Sequence, residues 1–236
     1  INSETELAVV EMGASHPGDI KELVDIALPN YGLVTNVGKA HLLGFGSFEG
    51  VIKTKNELYD YLRNTNGKVF LNNDNPLLKE LAHDLTSVSY GKDDSADYKA
   101  AILSSNPYLS IKWNGMEINT NLVGDYNFEN VMAAITVGCY FNIERELIIK
   151  ALENYSPTNN RSQFIKTEKN EVVMDAYNAN PVSMSNSVRN FRNISDDKHL
   201  LILGDMKELG NESVNEHQEI LNLVKELGFN NVILVG

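Results

Sequence analysis

The sequence predicts an α/β protein with a mostly parallel sheet in two successive units. Three observations predict it. Short apolar runs of strand length alternate with stretches of helical periodicity. The alternation breaks into closely spaced strand-like segments around the hairpin signal Asn114-Gly115. It then restarts beyond a polar, breaker-rich segment formed by Ser156, Pro157, Thr158, Asn159 and Asn160.

Taken in order, Leu7 to Val10 reads as a buried strand whose C-terminal end carries Glu11. Asp19 is a cap for a helix running to Ile26, which Pro29 and Asn30 stop. Tyr31 to Val37 is a second buried strand. A loop containing His41 then leads into a helix with Phe48, Val51, Ile52, Leu58, Tyr59 and Leu62 along one stripe. Gly67 to Leu71 is a strand, Pro76 to Leu85 a helix and Ser87 to Tyr90 a short strand. Tyr98 to Ser104, Leu109 to Trp113 and Glu117 to Leu122 form an expected small antiparallel appendage. Helices follow at Asn127 to Phe141 and Glu144 to Glu153. In the second unit Glu171 to Met174 is a strand ending at Asp175, Asn180 caps a helix with Pro181 in its first turn, and His199 to Leu203 is a strand. A helix from Glu212 to Leu227, closed by Gly228, precedes the strand Val232 to Val235.

Composition narrows the function. A formal net charge of -12 over 236 residues argues against a nucleic-acid partner and against an anionic membrane surface. No apolar run approaches a membrane span, and INSETELAVV carries no positive region of a signal peptide. Cys139 is the single cysteine and lies on an apolar helical stretch, which fits a buried structural thiol in a reducing compartment.

The candidate chemistry centres on Lys55, which falls inside the apolar stripe of its helix while Lys53 points to the other side. A desolvated ammonium has a lowered pKa and a more nucleophilic amine. Such an amine can capture carbon dioxide as a carbamate, an anion able to hold a metal ion. The alternative is a lysine whose stem covers apolar surface while its ammonium reaches water. Glu11 and His41 follow strands of the same expected sheet, so they and Lys55 can converge at the edge where open parallel sheets bind ligands. A carboxylate, an imidazole and a carbamate oxygen suit Mg2+ or Mn2+. Each also has a structural role open to it: Glu11 as a helix cap, His41 as a partner for loop amides.

Asn127 and Asn130 sit three apart at a helix start, suited to reading a base edge, though one of them can simply cap. Arg161 follows the linker, where an arginine can meet a phosphate on domain closure; Asp175 at a strand end can accept from ribose hydroxyls. A surface ion pair and an Asx turn are their structural alternatives. Two phosphate motifs fail. Asn66-Gly67-Lys68 is followed by Val69 rather than Ser or Thr, and a strand follows instead of a helix. Gly44, Gly46 and Gly50 lack the dinucleotide spacing and read as flexibility around His41.

The segments VVEMGASHPGDI, TNVGKAHLLGFGSFEGVIKTKNEL, GDYNFENVMAAI, NRSQ, DAYNANPVSM and LGDMKELG resemble, in order, successive blocks of the Mur ligases, the last two being most similar to the dipeptide-adding branch. The resemblance implies the sheet of a P-loop-type central ATPase domain over 1–155, with the P-loop missing, and a truncated Rossmann-like C-terminal domain over 156–236. It implies ATP- and Mg2+-dependent amide formation between UDP-N-acetylmuramoyl-tripeptide and D-alanyl-D-alanine, in a cytoplasmic, monomeric parent enzyme of peptidoglycan synthesis. On this resemblance Glu11 and His41 match magnesium ligands and Lys55 the carbamylated lysine. Asn127 and Asn130 fall on the adenine-side block, where Tyr126 stands in place of a histidine common in sister ligases. Arg161 matches the arginine that reaches the γ-phosphate, Asp175 the ribose-contacting acid, and Tyr177 and Asn178 belong to the same nucleotide-facing block. The missing P-loop and UDP-holding domain imply a fragment. A Mur or folylpolyglutamate-type ligase adding a single amino acid and a non-catalytic nucleotide-binding scaffold are the competing readings.

Overall fold

A computed structural model describes residues 2–158, 160–194 and 198–236; Asn159 of the expected linker lies outside the described residues. Gly18, at φ 92°, turns the chain into α1 (Asp19–Ala27), which buries Ile20 and Val24. Asp19 does not cap this helix as expected. Its carboxylate accepts from the Ser15 and His16 amides at 2.8 Å each, and the orphan donors of α1 go instead to Glu57, which accepts from Gly18 N at 3.0 Å and Lys21 N at 2.8 Å. The next elements are β1 (Tyr31–Gly32), a single turn α2 (Leu42–Phe45) and α3 (Phe48–Thr65). Ser47 caps α3 by accepting from Gly50 N, and Asn66, at φ 53°, ends it.

Then come β2 (Lys68–Asn72), α4 (Pro76–Leu81), β3 (Ser87–Gly91), β4 (Tyr98–Ser104), β5 (Tyr108–Trp113) and β6 (Met116–Val123). Asn75 caps α4, which ends at Leu81, short of the expected Leu85, as the chain turns through His83 and Asp84. The strands form one sheet in the order β1-β2-β3-β4-β5-β6, parallel from β1 through β4 and antiparallel from β4 through β6. The antiparallel ribbon is therefore continuous with the parallel sheet rather than an appendage. Asn114 and Gly115, both at positive φ, make the predicted hairpin turn, with Trp113 opposite Met116.

The first expected strand is absent. Residues 5–11 run without regular structure and Val9 is 87% exposed. Apolar content alone does not make a strand: a ladder needs a neighbour, and among the described residues none pairs with this segment. The second is shortened to Tyr31–Gly32, although Val34 beyond it is buried.

A 3-10 turn at Asp125–Asn127 opens α5 (Phe128–Tyr140), and α6 (Arg145–Asn154) follows. Phe128, Val131, Met132 and Ile135 of α5 meet Leu109, Ile111, Trp113 and Ile118 to form one core. Cys139 is half-buried at its margin, with its thiol pKa raised by desolvation. In a second core Tyr59 and Leu62 of α3 pack with Val69, Leu71 and Leu78.

The second unit opens with a hairpin of β7 (Gln163–Lys166) and β8 (Glu171–Met174), the first of which the sequence reading lacks. After α7 (Pro181–Ile194) come β9 (Leu201–Gly204), α8 (Ser213–Glu226) and β10 (Val232–Val235), with β9 and β10 parallel. Asn180 accepts from Ser183 N at 2.9 Å and so caps α7 as predicted, and Gly228 closes α8 at φ 74°. The core of this unit, with Val188, Leu201, Ile220 and Phe229, also takes in Leu42, Phe45 and Val51. The turn α2 is thus shared between the units, which places the His41 loop at their seam.

Candidate active site

His41 is the residue before α2 and adopts the left-handed conformation at φ 53°. Its loop is held by close backbone approach rather than by flexibility. A Cβ on Gly44 would lie 2.1 Å from the Ser15 carbonyl oxygen and one on Gly50 2.2 Å from that of Phe45, while Gly46 sits at φ 77°. Of the glycines read as flexible in the sequence, Gly44 and Gly50 are therefore packing requirements and Gly46 a backbone-conformation requirement. Ser15 lies shortly after Glu11, so the Glu11 segment is brought against α2; Glu11 itself is exposed.

Lys55 is half-buried on α3, and its Nζ donates to the carbonyl oxygen of Asn36 at 2.8 Å. Lys53 is exposed, as its place on the helix predicts. The Asn36 carbonyl belongs to the chain leading into the His41 loop. Desolvation lowers the pKa of the Lys55 ammonium. The three segments bearing Glu11, His41 and Lys55 are thus linked, Ser15 to Gly44 by backbone approach and Asn36 to Lys55 by a hydrogen bond. His41 Nδ1 is hydrogen-bonded to the carboxylate of Glu208, which lies beyond β9. Among the described residues no group of three or more His, Cys, Asp or Glu is placed to hold a metal ion. A carbamate on the desolvated Lys55 amine would add an oxygen ligand beside those of Glu11 and His41.

The second group of residues lies where β6 and the Asp125–Asn127 turn meet β7 and β8. Asn127 is buried and its side chain does not cap α5: Nδ2 donates to Val123 O at 2.9 Å, and Oδ1 accepts from Asn130 Nδ2 at 3.1 Å. The two amides form one pair, with Asn130 exposed at its outer end. The Tyr126 and Ser162 hydroxyls are hydrogen-bonded, and Ser162 N donates to Asp175 Oδ1 at 3.1 Å. Arg161 is exposed and, among the described residues, makes no ion pair; its guanidinium stacks over the Tyr177 ring at 4.0 Å. Asn178, next to Tyr177 in the chain, is exposed.

Several contacts here have no counterpart in the sequence reading. Ser162, Glu208 and the Lys39–Glu216 ion pair at 2.6 Å tie distant segments together, and local spacing cannot place them. The one clue in the sequence is that Ser162 and Glu208 lie inside the blocks NRSQ and LGDMKELG.

A sheet unit and a second α/β unit, with titratable and amide side chains gathered along their seam, define a two-unit α/β protein. Comparison makes the assignment specific. The Mur ligase middle domain matches residues 1–138, and the Mur ligase, glutamate ligase domain matches residues 160–236. The chain belongs to the Mur ligase family. It is 34% identical over 220 residues to the UDP-N-acetylmuramoyl-tripeptide--D-alanyl-D-alanine ligase of Bacillus subtilis, covering 91% of this chain and 48% of that relative. To the ligase of the same name from Buchnera aphidicola it is 32% identical, covering 100% of this chain and 53% of the relative. A crystal structure of MurF from Acinetobacter baumannii matches with a TM-score of 0.88 at 26% identity, over 100% of this chain and 53% of that one. The MurF ligase of Thermotoga maritima in complex with ADP shares the fold, with a TM-score of 0.79 at 23% identity over 95% of this chain and 57% of that one. The chain spans about half the length of these relatives.

Proposed function

We propose that this chain carries the middle and C-terminal parts of an ATP-dependent amide ligase that joins D-alanyl-D-alanine to UDP-N-acetylmuramoyl-tripeptide. The observation that carries the reading is Lys55, a desolvated amine held against the chain entering the His41 loop in a member of the Mur ligase family. On this reading the middle unit spans residues 1–155 and the C-terminal unit 156–236, in a cytoplasmic, monomeric enzyme acting on nucleotide-linked precursors. No helix of the described residues is long and apolar enough to cross a membrane.

In this reaction the tripeptide carboxylate attacks the γ-phosphorus of ATP, giving an acyl phosphate and ADP. The dipeptide amine then adds to the acyl carbon, loses a proton and expels phosphate. Both steps bring anionic or electron-rich groups together, so positive charge must be supplied locally in a chain of net charge -12. Glu11, His41 and carbamylated Lys55 would hold Mg2+, which offsets phosphate charge when bound. Arg161, stacked on Tyr177, keeps its guanidinium edge for the γ-phosphate. Asp175 would accept from the ribose hydroxyls, with Asn178 in the same nucleotide-facing segment. Asn127 fixes Asn130, whose exposed amide can read the adenine edge.

The test is product formation by the full-length protein. With ATP, Mg2+ and UDP-N-acetylmuramoyl-tripeptide, phosphate release and a pentapeptide product should require D-alanyl-D-alanine. Equal turnover with single amino acids would place the chain in another branch, and absence of nucleotide-dependent turnover would favour a scaffold.

A further inference from the structure

His41 and Glu208 come from different units, and both are non-glycine residues in the left-handed region, at φ 53° and φ 63°. Such backbone conformations are uncommon outside glycine and persist where surrounding structure over-determines them. Here the surroundings are specific. On either side of Glu208, Met206 and Leu209 are each 2% exposed, in the core that also holds Leu42 and Phe45. The Glu208 carbonyl oxygen accepts from Leu43 N at 3.0 Å, so the same residue grips the His41 turn through both backbone and side chain.

An ionised carboxylate only accepts hydrogen bonds, so the contact with Glu208 requires the proton of neutral His41 to sit on Nδ1. That leaves the Nε2 lone pair available to a cation. We propose that Glu208 is a positioning residue for His41: the C-terminal unit supplies the carboxylate that selects the tautomer and fixes the ring, so orientation of the middle unit's cation ligand is completed by docking of the two units. This rests on the ligase reading for the presence of a cation. The consequence is reciprocal, since a cation that prefers the oriented ring favours the docked arrangement by the same factor.

The experiment uses the full-length protein, 15N-histidine NMR to read the His41 tautomer, and Mn2+ titration with a non-hydrolysable ATP analogue to read cation affinity. The unsubstituted protein should show the Nδ1–H tautomer. Glu208→Ala should lose that preference and weaken Mn2+ binding about 10–100-fold, the range for removing an outer partner of a metal-bound histidine. Glu208→Gln, which keeps an accepting oxygen, should restore both in large part. Lys39→Ala, which breaks the neighbouring Lys39–Glu216 contact, should leave the tautomer unchanged. A Glu208→Ala protein with unaltered tautomer and Mn2+ affinity within about twofold would overturn the proposal, as would an equal loss in Lys39→Ala. Absence of Mn2+ binding by the unsubstituted protein would overturn the ligase reading instead, and the tautomer would still decide whether Glu208 orients His41.

Discussion

Tyr126 and Ser162 join hydroxyls across the junction between the units, and Ser162 in turn donates its backbone N–H to Asp175. Ser162 is 6% exposed, so its hydroxyl has little access to water once the Tyr126 hydroxyl is withdrawn. Tyr126→Phe should cost about 1–3 kcal/mol, the penalty for an orphaned buried polar group. The double change Tyr126→Phe with Ser162→Ala should cost less than the two single changes summed, measured by urea denaturation. Strict additivity would show that the contact carries no coupling.

Alkaline pH should weaken the fold through its desolvated phenols. Burial raises the pKa of Tyr59 and of Tyr126 to about 12, the latter helped by the nearby Asp175 and Asp125 charges. A phenol whose pKa is raised on folding stabilises the fold fully below its unfolded pKa of about 10. That contribution is lost as pH rises toward about 12. Lys55 acts in the opposite sense: its lowered pKa disfavours the fold at low pH and ceases to do so as the unfolded amine also loses its proton. Urea midpoints taken from pH 9 upward should therefore fall, and Tyr59→Phe should flatten the decline. A midpoint constant to pH 12 would contradict this assignment.

The close approach at Gly44 gives a sharper mutational contrast. Its Cβ would meet the Ser15 backbone oxygen at 2.1 Å, whereas at Gly13 nothing lies within 4 Å. Gly44→Ala should cost about 1–3 kcal/mol as the α2 turn shifts off the Ser15 segment. Gly13→Ala should stay within about 0.5 kcal/mol of the unsubstituted protein. Thermal melts of both would decide it, and equal stability would remove the argument that this glycine is a packing requirement.

The asparagine pair should separate structural from binding roles. Asn127→Ala leaves the Val123 carbonyl oxygen without its side-chain donor in a buried turn and should lower stability by about 1–3 kcal/mol. Asn130 is exposed, so Asn130→Ala should leave the melting temperature nearly unchanged while weakening binding of a fluorescent ATP analogue to the full-length protein. Unaltered nucleotide affinity in Asn130→Ala would remove its adenine-reading role.

Where local chemistry alone decides a conformation, the sequence was legible. Asn114-Gly115 turns the β5–β6 hairpin and Asn180 caps α7, each because a short polar side chain or a glycine meets a backbone demand within a few residues. The partial burial of Lys55 was legible too, since helical spacing alone places it on the apolar stripe of α3. Leu7 to Val10 shows the limit. Its apolar run matches a buried strand, but pairing depends on a partner that periodicity cannot supply. Asp19 fails for a related reason: it has the right chemistry for a cap, yet the preceding turn offers the Ser15 and His16 amides and takes its carboxylate. Glu208 and Ser162 find their partners at separations of 167 and 36 residues, a scale on which only the fold can bring groups together.

Lys55 is proposed to become a carbamate that joins Glu11 and His41 in holding a divalent cation. The most direct test is 13C NMR of the full-length protein equilibrated with 13C-bicarbonate, with and without Mn2+. We expect a carbamate resonance that is absent from Lys55→Arg and that Mn2+ broadens together with the His41 ring signals. A spectrum with no Lys55-dependent resonance, or one in which Mn2+ leaves that resonance sharp, would contradict the account.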